Sequence, residues 1–344
     1  MIYGGKAAAL NTCRHHTSPV SRRHEDRLSY HRLQTSVAGR NQPSTTRQPG
    51  ACLQEFFAHD LIVKYLESLG FQTRRSTWNL ETSFEALYGD GGRQVVFCAE
   101  YDALPEIGHA CGLNLIAYSS VGAFLGAAHP MATLGIHGCL RLLGTPAEEG
   151  LCGKAALIEA GAFNPPEDIA AAIYGTRHPR VADEVRLRDI WYRWLQGINA
   201  LDDAVAAYSN ISLLRQQMIT GCKVNFQTSP SFMKMRANNT LCDAYVEDMA
   251  SLCVSVVKDG ETTPTSTDMG NVSYVVPSFH GGFAIPADAT TTLHTPTFAS
   301  AARTEAAHDS AIQAAKEMAM MAIRVLVDDN IAAATRADIE KDED

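Results

Sequence analysis

No window of the 344-residue sequence approaches the run of about 18 or more uninterrupted apolar residues that a bilayer span requires. The sequence therefore reads as that of a soluble protein with no membrane partner. No close C-x-x-C pair occurs among the nine cysteines, which are irregularly spaced. In a chain this long, that spacing argues against a disulfide framework and for reduced, intracellular thiols. An excess of positive charge is also lacking: the net charge of −9 disfavours a nucleic-acid partner. The N-terminal region has no apolar h-region, which excludes a secretory signal, and no internal repeat is visible.

What is present points to one large domain. With 46% of residues hydrophobic, the chain can bury at least one full core. The net charge hides an asymmetry, because residues 1–50 hold eight Lys or Arg against two acids and leave the remainder near −15. This first segment is rich in Ser, Thr, Arg and His and lacks hydrophobic periodicity. It partly fits a mitochondrial-type transit peptide, and it fits a disordered tail or a mistranslated exon as well.

From Glu55 the pattern becomes orderly. Phe57, Leu61, Ile62, Tyr65, Leu66 and Leu69 fall at helical spacing and Gly70 stops the run. Val95–Ala99 is a short apolar strand that delivers Glu100, Tyr101 and Asp102 to its carboxyl end. A helix is expected from near Asn114 through Phe124, a strand over Leu140–Leu143, a helix over 153–160 and a buried strand over Ile169–Tyr174. Beyond Arg180 the pattern degrades. Asn199 is placed to cap a helix with Leu201, Val205, Tyr208, Ile211 and Leu214 on its apolar face. A helix after Asn238, a strand over Val272–Val276, a long Ala- and Met-rich helix over about 304–327 and an acidic end follow. Strands alternating with helices predict an α/β layered sheet with functional groups at the carboxyl ends of the strands.

Two clusters carry chemistry. Thr145-Pro146-Ala147-Glu148-Glu149-Gly150 places adjacent carboxylates on a turn after a buried strand, a liability unless a cation sits beside them. If the backbone is extended there, the two side chains point to opposite sides, so that one can bind a metal while the other faces its water. A solvated acidic turn is the plain alternative. The second cluster runs from Glu100 and Asp102 to His109, Cys111, Gly112 and Asn114. Thiolate, imidazole and carboxylate form the ligand set of zinc and its neighbours. Cys111, His178 and His294 would each pass for ordinary core or surface residues if taken singly.

The runs EYDALPEIGHACGLNLIA, LLGTPAEEGLCGKAALIEAGAF and STDMGNVSYVVPSFHGGFAI together resemble the zinc aminoacylase and carboxypeptidase family of metallopeptidases and amidohydrolases. The similarity is strongest to its branch of Xaa-Arg or β-alanyl-lysine dipeptidases and aminobenzoyl-glutamate hydrolases. It covers roughly residues 52–327 apart from the middle. The resemblance implies a zinc-peptidase-like catalytic domain with a mostly parallel sheet between helices. It implies Glu148 as the catalytic base that takes a proton from metal-bound water, and Cys111, Glu149, His178 and His294 as metal ligands. Asp102 is implied as a supporting acid, and Gly112, Asn114 and the Asp268–Asn271 loop as pocket-shaping positions. It further implies one or two zinc ions (manganese and cobalt being the alternatives), a small dipeptide or N-acyl amino acid as substrate, and a homodimer.

Two departures stand against this pattern. The family reads Cys-Gly-His-Asn around the cysteine, whereas Leu113 takes the third position here, and leucine cannot ligate. The family also inserts a lid and dimerisation domain after the His178 motif. Here the Trp194–Asp202 run is present without the preceding His-Ala run, and Gln217 is followed almost at once by Thr220-Gly221-Cys222-Lys223-Val224. The expected organisation is a disordered basic segment over 1–50, a catalytic domain split into 51–180 and 220–330, a truncated lid remnant over 181–219, and an acidic tail over 331–344. The expected function is metal-dependent hydrolysis of an amide, impaired by these losses, in the cytoplasm or else the mitochondrion. An inactive remnant that binds a peptide or partner, and a mis-spliced gene product, are the competing readings. Because residues 1–50 cannot bury enough apolar surface to offset chain entropy, their deletion is expected to leave expression and the circular-dichroism spectrum unchanged; loss of either contradicts the expectation.

Overall fold

The computed structural model describes residues 53–179, 184–187, 230–251, 255–257, 267–288 and 290–341, with the backbone alone at 176–179, 184–187, 255 and 257. The basic segment 1–50 and most of the expected lid remnant, including the helix expected after Asn199, lie outside the described residues.

The chain enters through α1 (Phe56–Ser68), whose Ile62, Val63 and Leu66 are fully buried while Phe57 is exposed. Next come β1 (Gln72–Arg75), β2 (Phe84–Asp90) and β3 (Gln94–Ala99), then the long helix α2 (Leu113–Leu134) and β4 (Gly138–Gly144). Two short helices, α3 (Glu148–Leu151) and α4 (Gly153–Glu159), lead by way of a 3-10 turn to β5 (Ile169–Pro179). After β6 (Glu184–Leu187) the described chain resumes with α5 (Asn239–Ser251), β7 (Ser255–Val257), α6 (Met269–Val272) and β8 (Ser278–Ile285). Helices α7 (Pro296–Ala301), α8 (Glu305–Val327) and α9 (Asp329–Lys341) close it.

Eight strands form one sheet in the order β1-β2-β4-β3-β5-β8-β6-β7. The central neighbours β4-β3, β3-β5 and β5-β8 are parallel, whereas β1-β2, β2-β4 and β6-β8 are antiparallel. The period of two along β3 decides the layering. Val95, Phe97 and Ala99 enter one apolar cluster with α1, α2, α5 and α8, while Val96 and Cys98 enter a second with Leu157, Met269 and Val272. Helices therefore cover both faces, and β3 is fully buried, as the apolar run Val95–Ala99 implies. Burying each Val or Phe of this strand contributes about 1.5–3 kcal/mol. Helix α2 is buried on most sides because α8 packs along it, with Gly126 leaving only 3.2 Å between a notional Cβ and Ala319 Cβ.

Two expectations differ from the structure. The strand expected over Val272–Val276 is the end of α6 followed by turns. Its valines are apolar because they pack into the second cluster or against it, and the strand begins at Ser278. The acidic end of the chain forms α9, held by Asn238 Nδ2 donating to Thr335 O (2.8 Å) and by Asp338 Oδ2 accepting from Thr240 N and Oγ1. Among the described residues no helix is long and apolar enough to cross a membrane.

Between α5 and α8, Tyr245 donates its hydroxyl to Glu317 Oε2, and Gln313 Nε2 donates to Glu317 Oε1 (3.2 Å). Burial raises the Glu317 pKa, and these hydrogen bonds only partly oppose it. A carboxyl raised in the folded state contributes stability that is fully present below its unfolded pKa, near 4.5, and is lost as pH climbs through the folded value. Glu317→Gln keeps both partners without the charge. It is expected to raise the urea midpoint at pH 7 and leave it nearly unchanged at pH 4; an equal shift at both pH values contradicts this.

Candidate metal centre

The parallel strands β3, β4 and β5 all end on one side, and the segments that leave them build the site. Glu100, Tyr101 and Asp102 follow β3 and are buried. Tyr101 donates its hydroxyl to Thr82 O at 2.5 Å, so its side chain is a strut rather than a reactive group. After β4, Thr145 N and Oγ1 both donate to Ala99 O (2.7 and 3.0 Å), clamping the turn against the end of β3. Ala147 has a φ of 63° and its N–H donates to buried Glu55 Oε1 (3.2 Å), while Glu55 Oε2 accepts from Thr82 Oγ1 (2.8 Å). Gly153 starts α4 where a Cβ would lie 1.8 Å from Pro146 O, so only glycine closes this loop.

The loop is not extended, contrary to the alternation expected of Glu148 and Glu149. Both lie in the single turn of α3, which is kinked at Glu149 (ψ 57°) and Gly150 (φ 126°). The kink nevertheless sends the two carboxylates into different groups. Glu149 converges with Cys111 and His294, whose ligand atoms all lie within 4.8 Å of one another. His294 Nε2 is 3.2 Å from Cys111 Sγ and 3.7 Å from Glu149 Oε2. Two ligands bound at about 2.3 and 2.0 Å in tetrahedral geometry stand about 3.5 Å apart, so these separations suit one shared ion. His294 is held by its own N–H, which donates to Ala110 O (3.0 Å), with Thr295 capping α7 directly behind it.

Asp102 supports this group through the backbone: its Oδ2 accepts from Glu149 N at 2.8 Å. The other oxygen, Oδ1, is buried without a hydrogen-bond partner, and burial raises the Asp102 pKa well above the ordinary range. The thiol, imidazole and carboxylate of Cys111, His294 and Glu149 are a donor set that fits a divalent transition ion. His178 lies on β5 with its backbone paired to Ala284, and its side chain lies outside the described residues. Leu113, at the position where the resemblance implies a histidine, is 1% exposed and belongs to the second apolar cluster, against which Cys111 also packs.

The second group was not assigned from sequence. Glu148 meets Glu100 and Asp268, again with ligand atoms within 4.8 Å. Lys154 stands among them. Its Nζ donates to Glu100 and to Asp268 Oδ1, and its backbone N donates to Asp268 Oδ2 (2.8 Å). Tyr174 donates to Glu100 Oε2 at 2.5 Å. Burial alone would lower the Lys154 pKa, but Asp268, Glu100 and Glu148 outweigh it and hold the ammonium charged. Burial, then Glu100 and Asp268, raise Glu148 well above the usual carboxylate range. A lone lysine directly before the apolar run Ala155–Ile158 of α4 is the available signal for this pocket, since buried lysines require partners.

No protein-family profile matches the chain. Sequence relatives do. The Xaa-Arg dipeptidase of Mus musculus is 30% identical over 363 aligned residues, covering 81% of this chain and 83% of the relative. The human Xaa-Arg dipeptidase is also 30% identical, over 85% of this chain and 86% of its own length. A p-aminobenzoyl-glutamate hydrolase subunit of Escherichia coli is 30% identical over 38% of this chain and 30% of its own length. Among solved structures, the YxeP protein of Bacillus subtilis, described as a dinuclear metal binding peptidase from the M20 family, shares the fold. Its TM-score is 0.64 at 17% identity, covering 88% of this chain and 99% of that one. The fold of the chain is thus that of this metallopeptidase, and the identity and span of the match to the mouse and human proteins show the family: the chain belongs with the Xaa-Arg dipeptidases, metal-dependent hydrolases of dipeptides.

Proposed function

We propose that this chain hydrolyses an amide bond beside a free carboxylate, in a dipeptide or N-acyl amino acid. Zinc, or manganese or cobalt in its place, would be held by Cys111, Glu149 and His294 with His178 as a further ligand, as one or two ions. The observation that supports this most directly is the convergence of Cys111, Glu149 and His294 from three separate segments at the carboxyl end of the sheet. The names of the mouse and bacterial relatives specify an Xaa-Arg dipeptide and an aminobenzoyl-glutamate, and both fit this substrate class. When bound, such an ion lowers the pKa of a coordinated water and polarises a carbonyl.

The chain's own residues handle the proton. Glu148 takes the proton of the attacking water and returns it to the departing amine nitrogen. Burial and the neighbouring Glu100 and Asp268 carboxylates raise its pKa, which favours handing the proton on to the amine. Asp102 fixes the Glu149 backbone and so the direction in which that carboxylate points. The alignment with the mouse relative runs over 363 residues, more than the 344 of this chain, so the relative contains segments that this chain skips. That supports a shortened lid over 181–219 and reduced turnover, because lid closure normally helps to position substrate. The described cysteines are free thiols, which supports a reducing compartment such as the cytoplasm.

The adjacent acids separate in a direct test. Glu149→Gln is expected to lose most bound zinc and all activity, whereas Glu148→Gln keeps its zinc and loses at least about a hundredfold in kcat on a β-alanyl-lysine or Xaa-Arg dipeptide. Equal zinc loss in both variants, or an active Glu148→Gln, contradicts the assigned roles. A second variant addresses the missing ligand: Leu113→His is expected to raise zinc content above that of the native chain at some cost in stability. Full zinc occupancy and ordinary turnover in the native chain would sink the idea that Leu113 impairs the site.

A further inference from the structure

Glu100, Asp268 and Glu148 bring three carboxylates into a pocket of which Glu100, Asp268 and Lys154 are fully buried and Glu148 is 8% exposed. Each comes from a different segment: the end of β3, the residue before α6, and the first residue of α3. Carboxylates at such spacing in a dry site either protonate, move apart or share a cation. Here the cation is covalently part of the chain. The Lys154 ammonium bonds Glu100 and Asp268, its backbone N–H holds the second oxygen of Asp268, and it lies 5.4 Å from the centre of the Tyr174 ring. Tyr174 stacks on His280 (4.7 Å, 15°) and donates to Glu100, so the far wall of the pocket is also fixed.

We infer that the Lys154 ammonium is the resident cation of this carboxylate pocket and thereby a positioning residue for Glu148. It occupies the place that a divalent ion would otherwise take among Glu100, Glu148 and Asp268. The inference rests on the proposed function for Glu148 as the proton shuttle. The Lys154 ammonium bonds Glu100 and Asp268 and so acts on Glu148 through them. It acts by keeping Glu148 in one pocket while Glu149, the next residue, faces Cys111 and His294.

The test uses the full chain and three variants: Lys154→Met, Glu100→Gln, and the double variant Lys154→Met/Glu100→Gln, which removes one charge of each sign. Metal-depleted protein is titrated with Mn2+, with bound ion counted and melting followed. Lys154→Met is expected to melt below the native chain and to take up one more equivalent of Mn2+ than it does, with a larger rise in Tm on addition. The double variant, lacking one carboxylate, should lose that extra equivalent. In the zinc-loaded proteins, Glu100→Gln supplies the reference kcat, because it removes one carboxylate and leaves the Lys154 ammonium in place. The double variant should melt within a few degrees of Glu100→Gln, hold the same zinc and keep KM within about threefold, yet fall at least a further thirtyfold in kcat. A purely structural counter-ion would move Tm without that split.

Mn2+ uptake by Lys154→Met equal to native uptake overturns the inference. So does a double variant as active as Glu100→Gln. A native chain that binds zinc and hydrolyses no dipeptide or N-acyl amino acid overturns the proposed function instead, while the Mn2+ arm still decides whether Lys154 is the resident cation.

Discussion

Five carboxyl groups, Asp102, Glu100, Glu148, Glu149 and Asp268, are drawn to one end of the sheet, and four of them are almost wholly removed from water. Everything else about this end of the molecule answers that concentration of negative charge. The Lys154 ammonium opposes it on one side of the Glu148–Glu149 turn, and on the other Glu149 converges with Cys111 and His294. A single peptide unit therefore separates a pocket that holds a lysine of the chain itself from the group of Cys111, Glu149 and His294. The kink in α3, at Glu149 and Gly150, falls at this separation.

The turn that holds both glutamates is over-determined. Thr145 bonds back to β3, Ala147 adopts a left-handed conformation while bonded to Glu55, and Gly153 passes against Pro146 with no room for a side chain. Strain in a short segment persists only where its surroundings fix it, and here the fixing groups come from the start of α1, from β3 and from α4. Glu55 is a buried acid given over to backbone and hydroxyl donors: its carboxylate accepts from Leu53 N, Thr82 Oγ1 and Ala147 N. The first described residues are thereby coupled to the most chemically demanding loop of the chain.

Legibility in the sequence followed burial. The apolar run Val95–Ala99 announced β3 because both of its faces are covered, and the acids placed after it do gather at its carboxyl end. Edge strand β1, Gln72–Arg75, carries four polar residues and gave no periodic signal; its pairing with β2 and ion pairs such as Arg75 with Glu67 hold it instead. Val272, Val275 and Val276 looked like a strand because burial favours the same residues in a turn that packs into a core. Cys111, Glu149 and His294 are ordinary taken singly and stand out only through the resemblance of their runs to a family, and the structure brings them together. Lys154 was not legible, because nothing in a helical run of Ala, Leu and Ile says which distant carboxylates will close over one lysine. That information lies in the tertiary path of β3, α4 and the loop before α6.

Leu113 bears on both pockets. At the first residue of α2 it packs with Val96, Cys98, Ile116 and Leu143, beneath the ends of β3 and β4. A histidine there would need a hydrogen-bond partner or a metal to offset its burial, whereas leucine contributes about 1.5–3 kcal/mol by burial alone. The exchange gives up a donor and frees the packing beneath the site from any need for an ion. Lys154 bonds the inner carboxylates Glu100 and Asp268, and on the more exposed side His294 and Glu149 flank Cys111. The packing at this end of the sheet is thus closed by leucine and lysine side chains of the chain itself.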